Sequence, residues 1–190
     1  MGQFNNLTMK QKGVSLIEIL AAVAIFAITV GAISGLFIST IRSQRRILAN
    51  QELLNQTSYV LEYMGRALRM AKKDSSGTCI LAGKNYEVGG GDSINFLKFD
   101  YGTNSDICYY FYLSNHQIYE RKQWAAGVPL TSDKIWVNSL KFELSGDTIG
   151  ESPNLQPRVT ISLDILGRGV TEKPEIQIQT SISQRPLDAP

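Results

Sequence analysis

The chain changes its hydrophobic rhythm twice. From 19 to 41 there are 23 consecutive positions without a charged residue or a proline, and apolar side chains fall on every side of the helix they imply. At about 1.5 Å per residue this run makes roughly 35 Å of α-helix, enough to cross a hydrocarbon core of about 30 Å. The hydrophobic stretch of a secretory signal usually spans only about 7 to 15 residues before a small-residue cleavage site. This one is longer and leads directly into a second helical pattern, so it predicts a membrane span. Beyond it Leu53, Thr57, Val60, Leu61, Met64, Leu68 and Ala71 recur at spacings of about three and four and form one stripe. Glu62 and Arg66 stand one turn apart on the polar side, and Arg69, Lys72 and Lys73 suit the negative end of the helix dipole before Ser75, Ser76 and Gly77 stop it. The pattern predicts one nearly continuous helix over 14–73, its first half in a membrane and its second half packed on a domain.

After Gly77 the period becomes two. Leu140, Phe142 and Leu144 alternate with polar neighbours, as do Val159, Ile161, Leu163 and Ile165, and then Ile176, Ile178, Thr180 and Ile182. Each set reads as a half-buried strand. Further strands are expected at 94–101, 107–113 and 117–122, separated by turns at Gly102, Thr103 and Asn104 and at Ser114, Asn115 and His116. The segment 146–157, with Gly, Asp, Asn and Pro, reads as a loop. About six strands after one helix is an α+β order: a long N-terminal helix, transmembrane in its first half, packed on an antiparallel β-sheet domain.

Composition narrows the function. With 190 residues, 43% hydrophobic and 19% charged, the chain has room for one ordinary domain core beside the span. A formal charge of +2 argues against a dedicated nucleic-acid binder, and Arg42, Arg45 and Arg46 read as a helix flank, so no direct nucleic-acid contact is expected. Two Cys and one His are too few for a usual four-ligand zinc site, and neither a metal nor a cofactor is expected. Inside the span Gly31 and Gly35 form a GxxxG, with Ser34 and Ser39 nearby, which permits close helix packing in lipid.

The chemistry-bearing segment precedes the span. MKQKGVSLIEIL (9–20) joins a short basic leader, Lys10 and Lys12, to Gly13, Val14 and one acid, Glu18, in otherwise apolar text. KGVSLIE followed by an uncharged helix resembles the type III signal of type IV pilins and type II secretion pseudopilins. The resemblance implies cleavage between Gly13 and Val14 by a prepilin peptidase, N-methylation of Val14, and a role for Glu18 in assembly, where it meets the N-terminal amine of a neighbouring subunit. The family more often has Phe where this chain has Val14. A carboxylate in an apolar helix costs up to about 2.5 to 3.5 kcal/mol at the bilayer centre, and neutralising it against an amine in a dry bundle favours association. Translation could start at Met1 or Met9; either start keeps the cleavage site. Loss of residues 1–13 removes two lysines and no acid, leaving 17 basic against 17 acidic side chains. The text QPRVTISL (156–163) and QTSISQR (179–185) resembles the last two strands of minor pilins and of the larger minor pseudopilins of the J or W type.

The implied organisation is a leader over 1–13, a transmembrane and assembly half-helix over 14–41, an amphipathic half-helix over 42–73 and an extracytoplasmic β-rich domain over 74–190. The implied function is that of a non-enzymatic structural subunit of a pilus or pseudopilus fibre, anchored first in the inner membrane. Its partners would be other pilin or pseudopilin subunits, prepilin peptidase and the inner-membrane assembly platform. Basic residues flank both ends of the span, so orientation rests on the resemblance. The alternative is a single-pass anchored extracytoplasmic binding or enzyme domain, which lacks a visible catalytic constellation.

Cys79 and Cys108 sit at strand edges. Outside the cytoplasm they can oxidise, closing a loop of roughly 30 residues for about 3 to 4 kcal/mol; in the cytosol they would be two buried thiols. His116 reads as a turn residue without a nucleophile beside it, and Asp92, Asp100 and Asp106 match no calcium-loop spacing. Gly89, Gly90 and Gly91 lack the following Lys-Ser/Thr of a phosphate loop and read as a hairpin. In the run Tyr109, Tyr110, Phe111 and Tyr112, alternate members must face opposite sides of a sheet, so half of them, with Trp124 and Trp136, are candidates for an interface.

Overall fold

A computed structural model describes residues 13–146, 156–168 and 173–185. The leader residues Met9, Lys10 and Lys12 and most of the 146–157 loop lie outside the described residues. The chain divides into two compact units, Met1–Arg45 and Arg46–Pro190, and one helix, α1 (Leu16–Arg69), contributes to both.

In the first unit every described side chain up to position 40 is exposed, Leu16 at 76% and Phe26 at 68% among them. Three hydroxyls there are satisfied within the helix. Thr29 Oγ1 donates to Phe26 O at 2.8 Å, Ser34 Oγ to Val30 O at 2.8 Å and Thr40 Oγ1 to Leu36 O at 2.9 Å. No hydroxyl in this set needs water, which is the condition for a helix in lipid. This is the one helix among the described residues long and apolar enough to cross a membrane.

In the second unit, α1 buries Leu53, Thr57, Val60, Met64, Gly65, Ala67 and Leu68. The helix stops at Arg69 rather than continuing to Lys73. Its last carbonyls are taken by donors from elsewhere in the fold: Tyr86 Oη donates to Leu68 O at 2.6 Å and Arg185 N to Arg69 O at 3.0 Å. Those bonds satisfy groups that a helix end leaves orphaned, without a glycine cap. Ala71 and Lys72 then form β1 (Ala71–Lys72), paired with Lys98 and Leu97, and Gln184 Nε2 donates to Ala71 O at 2.8 Å.

The strands form two antiparallel sheets. The first holds β1, β2 (Glu87–Gly89), β3 (Ser93–Asp100), β4 (Ser105–Ser114), β5 (Gln117–Lys122) and β6 (Val128–Pro129), in the order β1-β3-β4-β5-β6 with β2 also on β3. The second holds β7 (Ile135–Ser145), β8 (Arg158–Gly167) and β9 (Glu175–Ser183) in sequence order. The strands beyond the six expected are β1, β2 and β6, of two or three residues each, too short to show a period. Asn115 and His116, with φ of 47° and 59°, join β4 to β5 as a two-residue turn of the left-handed kind that matches hairpin twist. Val137 N bonds to His116 O at 3.0 Å and Phe142 N to Gly91 O at 2.8 Å, tying β7 to the turns of the first sheet. Val60, Met64 and Leu68 pack in one core with Phe96, Tyr109 and Phe111 from the first sheet and Leu140, Ile161 and Ile165 from the second.

Candidate processing and assembly segment

Gly13, Val14 and Ser15 precede the helix without regular secondary structure, and α1 begins at Leu16. Ser15 therefore holds the N-cap position and Glu18 the third helical position, with Glu18 N bonding to Ser15 O at 3.0 Å. Ser-x-x-Glu is the capping-box spacing, and an acid in the first turn is favoured by the positive end of the helix dipole. That spacing, SLIE, was available in the sequence. Gly13 and Val14 are open: nothing lies within 4 Å of a Cβ placed on Gly13, and Val14 is 65% exposed. Gly31 and Gly35 lie one turn apart with nothing within 4 Å of either Cβ position, leaving a bare strip of backbone on which no described element packs.

Residues 8–34 match the family described as the prokaryotic N-terminal methylation motif. The chain carries a prepilin-type N-terminus. The match covers Gly13, Val14, Glu18 and Gly31, and fits a type IV pilin-like subunit processed by prepilin peptidase. No curated protein and no solved structure matches the chain.

Behind this prepilin segment, the folded domain is pinned by two devices. Cys79 and Cys108 form a disulfide with their Cα atoms 5.5 Å apart. Next to it the buried Asp74 organises the loop between β1 and β2: Oδ1 accepts from Ser76 N, Ser76 Oγ and Gly77 N, and Oδ2 from Cys79 N at 2.7 Å and Ile80 N at 3.1 Å. Burial pushes this carboxyl up, but the donors of Cys79, Ile80 and Ser76 outweigh it and hold it at about 2. Sequence reasoning missed Asp74, although Asp-Ser-Ser-Gly is a turn signature of an acid bonding its own following backbone. It also missed Glu120, which is buried on the core side of β5 and receives the Tyr63 hydroxyl on both oxygens at 2.9 and 3.0 Å. Burial and then the Glu120 bond push the Tyr63 phenol up.

The remaining candidates are dispersed. His116 stacks on Trp136 at 3.9 Å, with its Nδ1 3.2 Å from Val137 O. Asp106 pairs with Lys72 at 2.7 Å, while Asp100 accepts from Tyr109 Oη at 3.1 Å. Gly90 and Gly91 turn the chain between β2 and β3, both at positive φ. Of the aromatic run, Tyr109 and Phe111 face the core, whereas Tyr110 lies under Arg121 and Tyr112 stacks on Tyr119 on the other face. Trp124 is 95% exposed in the loop after β5.

Proposed function

We propose that the chain is a non-enzymatic minor pilin or pseudopilin of a type IV pilus or type II secretion-like fibre. The observation that carries this reading is the coincidence, in one segment, of the methylation motif over 8–34, the lone acid Glu18 in the first helical turn, and an apolar helix with wholly uncovered sides. Prepilin peptidase cleaves between Gly13 and Val14 and the new Val14 amine is methylated. The subunit is held in the inner membrane with its β-rich domain outside the cytoplasm, a side consistent with the Cys79–Cys108 disulfide. On extraction by the assembly platform, residues 14–41 exchange lipid for neighbouring helices, Gly31 and Gly35 admit one of them closely, and Glu18 neutralises a neighbour's terminal amine.

The test is the intact mass and N-terminal sequence of the membrane-extracted protein made together with a prepilin peptidase. The expected product begins at Val14, is about 14 Da heavier than the unmodified chain from one methyl, and is missing for Gly13→Ala. A protein that keeps residues 1–13 in the presence of active peptidase overturns the reading and leaves the single-pass anchored domain in its place.

A further inference from the structure

The loop between β1 and β2 is closed twice, once by bonds of its own and once by a covalent bond to the first sheet. At its base Asp74 N donates to Lys84 O at 2.9 Å and Gly83 N to Asp74 O at 2.7 Å, and Lys84 N closes a turn onto Leu81 O at 3.1 Å. Its interior is filled by the Asp74 side chain, which is 0% exposed and accepts from Ser76, Gly77, Cys79 and Ile80. Gly77 lets the chain pass round this centre: its φ is 71°, and a Cβ there would stand 3.3 Å from the Cβ of Ala82 across the loop. All of these bonds lie within residues 74–84, so they shape the loop from inside.

Cys79 is where this loop is joined to the sheet. Its backbone N–H is one of two donors on Asp74 Oδ2, the other being that of Ile80, so the carboxylate fixes the main chain that carries the sulfur. Cys79 Sγ lies 3.6 Å from Phe96 O on β3, and Cys108 stands opposite Leu97 on the neighbouring β4, its Cα 5.5 Å from that of Cys79. That separation lies in the range a disulfide requires. Cys108 is thus placed by the β3–β4 ladder and Cys79 by the Asp74 carboxylate.

Only an ionised carboxylate serves all these donors, because both of its oxygens accept. An asparagine at this position, turned either way, sets its NH2 against the two donors at Oδ2 or the three at Oδ1, and a donor facing a donor is left unsatisfied unless the loop opens to water. Reduction of the Cys79–Cys108 bond by a dithiol passes two electrons and two protons to the two sulfurs and leaves the dithiol as its own disulfide. The readiness of the bond to form again then depends on whether the loop keeps its shape while the thiols are free.

We propose that Asp74 is the positioning residue of the Cys79–Cys108 pair: its carboxylate keeps loop 74–84 folded when the bond is open, holds the Cys79 thiol beside Cys108, and so shifts the thiol–disulfide equilibrium toward the bond. The coupling is reciprocal, so the bond in turn favours the loop closed about Asp74. It involves neither processing at Gly13 nor fibre assembly, and failed cleavage leaves it standing.

The chain has two cysteines, so tagging its thiols reads the state of the pair directly. To test the coupling, membranes holding the full chain are equilibrated over a series of reduced-to-oxidised dithiothreitol ratios and quenched in acid, and the free thiols are tagged with a maleimide polymer that shifts the band on a denaturing gel. Asp74→Asn is expected to be half reduced at a ratio about tenfold lower than wild type. Ser76→Ala, which removes one donor from an exposed residue, is expected to shift by about threefold in the same direction. Asp106→Asn removes a carboxylate two residues from Cys108 but outside the loop, and is expected to match wild type. A stability cycle gives the second readout: Asp74→Asn is expected to lower the thermal midpoint less in a Cys79→Ser, Cys108→Ser chain than in the oxidised protein, because the released loop can take its donors to water. Wild-type reduction of Asp74→Asn, an equal shift for Asp106→Asn, or equal losses of thermal midpoint with and without the cysteines would each overturn the proposal. Should Asp74→Asn fail to accumulate, Ser76→Ala decides, and a wild-type ratio there overturns it.

Discussion

The two halves of α1 share a backbone and differ in what their side chains ask of their surroundings. Up to position 40 every described side chain is exposed and the hydroxyls of Thr29, Ser34 and Thr40 turn back on their own helix. From 53 onward one stripe is buried to within a few per cent, and the polar side reaches outward, as when Gln56 Oε1 accepts from Ser132 Oγ at 2.9 Å. The difference teaches that helical propensity is not what separates the halves. An apolar helix without a stripe has no preferred side and is matched to a surrounding solvent of lipid or other helices. A striped helix is matched to one folded core, here shared by both sheets.

The sharpest way to break this contrast is a charge placed in each half. Leu68→Asp puts a carboxylate at a site with 0% exposure, with an expected cost above about 4 kcal/mol and loss of the cooperative thermal transition of the domain. The same change at the exposed Leu36 should leave that transition in place and instead reduce retention in the membrane fraction; a domain melting as early as for Leu68→Asp would show that the halves are not independent. Next in size, Cys79→Ser combined with Cys108→Ser releases a loop of about 30 residues and should cost about 3 to 4 kcal/mol in denaturant titration.

Asp74 gives a smaller effect with a distinct pH signature. Its folded carboxyl titrates near 2, below the ordinary 3.8, so its stabilisation is fully present above about pH 4 and is lost as the pH falls toward 2. The amount is on the order of 2 kcal/mol, and Asp74→Asn should remove the part of the acid dependence that falls in that window, read as the thermal midpoint against pH. At the small end, Ser34→Ala should change domain stability by less than about 0.5 kcal/mol, because its hydroxyl serves only Val30 O in the uncovered half.

Much of the fold was legible in the chain. The span, the stripe from Leu53 to Leu68 and the long strands β3, β4, β5, β7, β8 and β9 all follow from periods of 3.6 and 2 over enough residues to be counted. The processing segment was legible too, because Gly13, Val14 and Glu18 lie within six positions of one another, the same stretch that the methylation motif covers. What could not be read there was anything held by distant partners. The end of α1 at Arg69 depends on Tyr86 and Arg185, and the buried Glu120 depends on Tyr63, a residue 57 positions earlier.

By itself, then, the sequence determined which segments are helix or strand, which stretch is fit for lipid, and which short motif resembles a prepilin signal, since these rest on local spacing and composition. Only the tertiary structure decided that the strands divide into two sheets, that Asp74 is buried among backbone donors, and that β9 stands at the end of the second sheet among the described residues. Register and edge exposure depend on which strands meet after the chain has folded back on itself, and no local pattern records that.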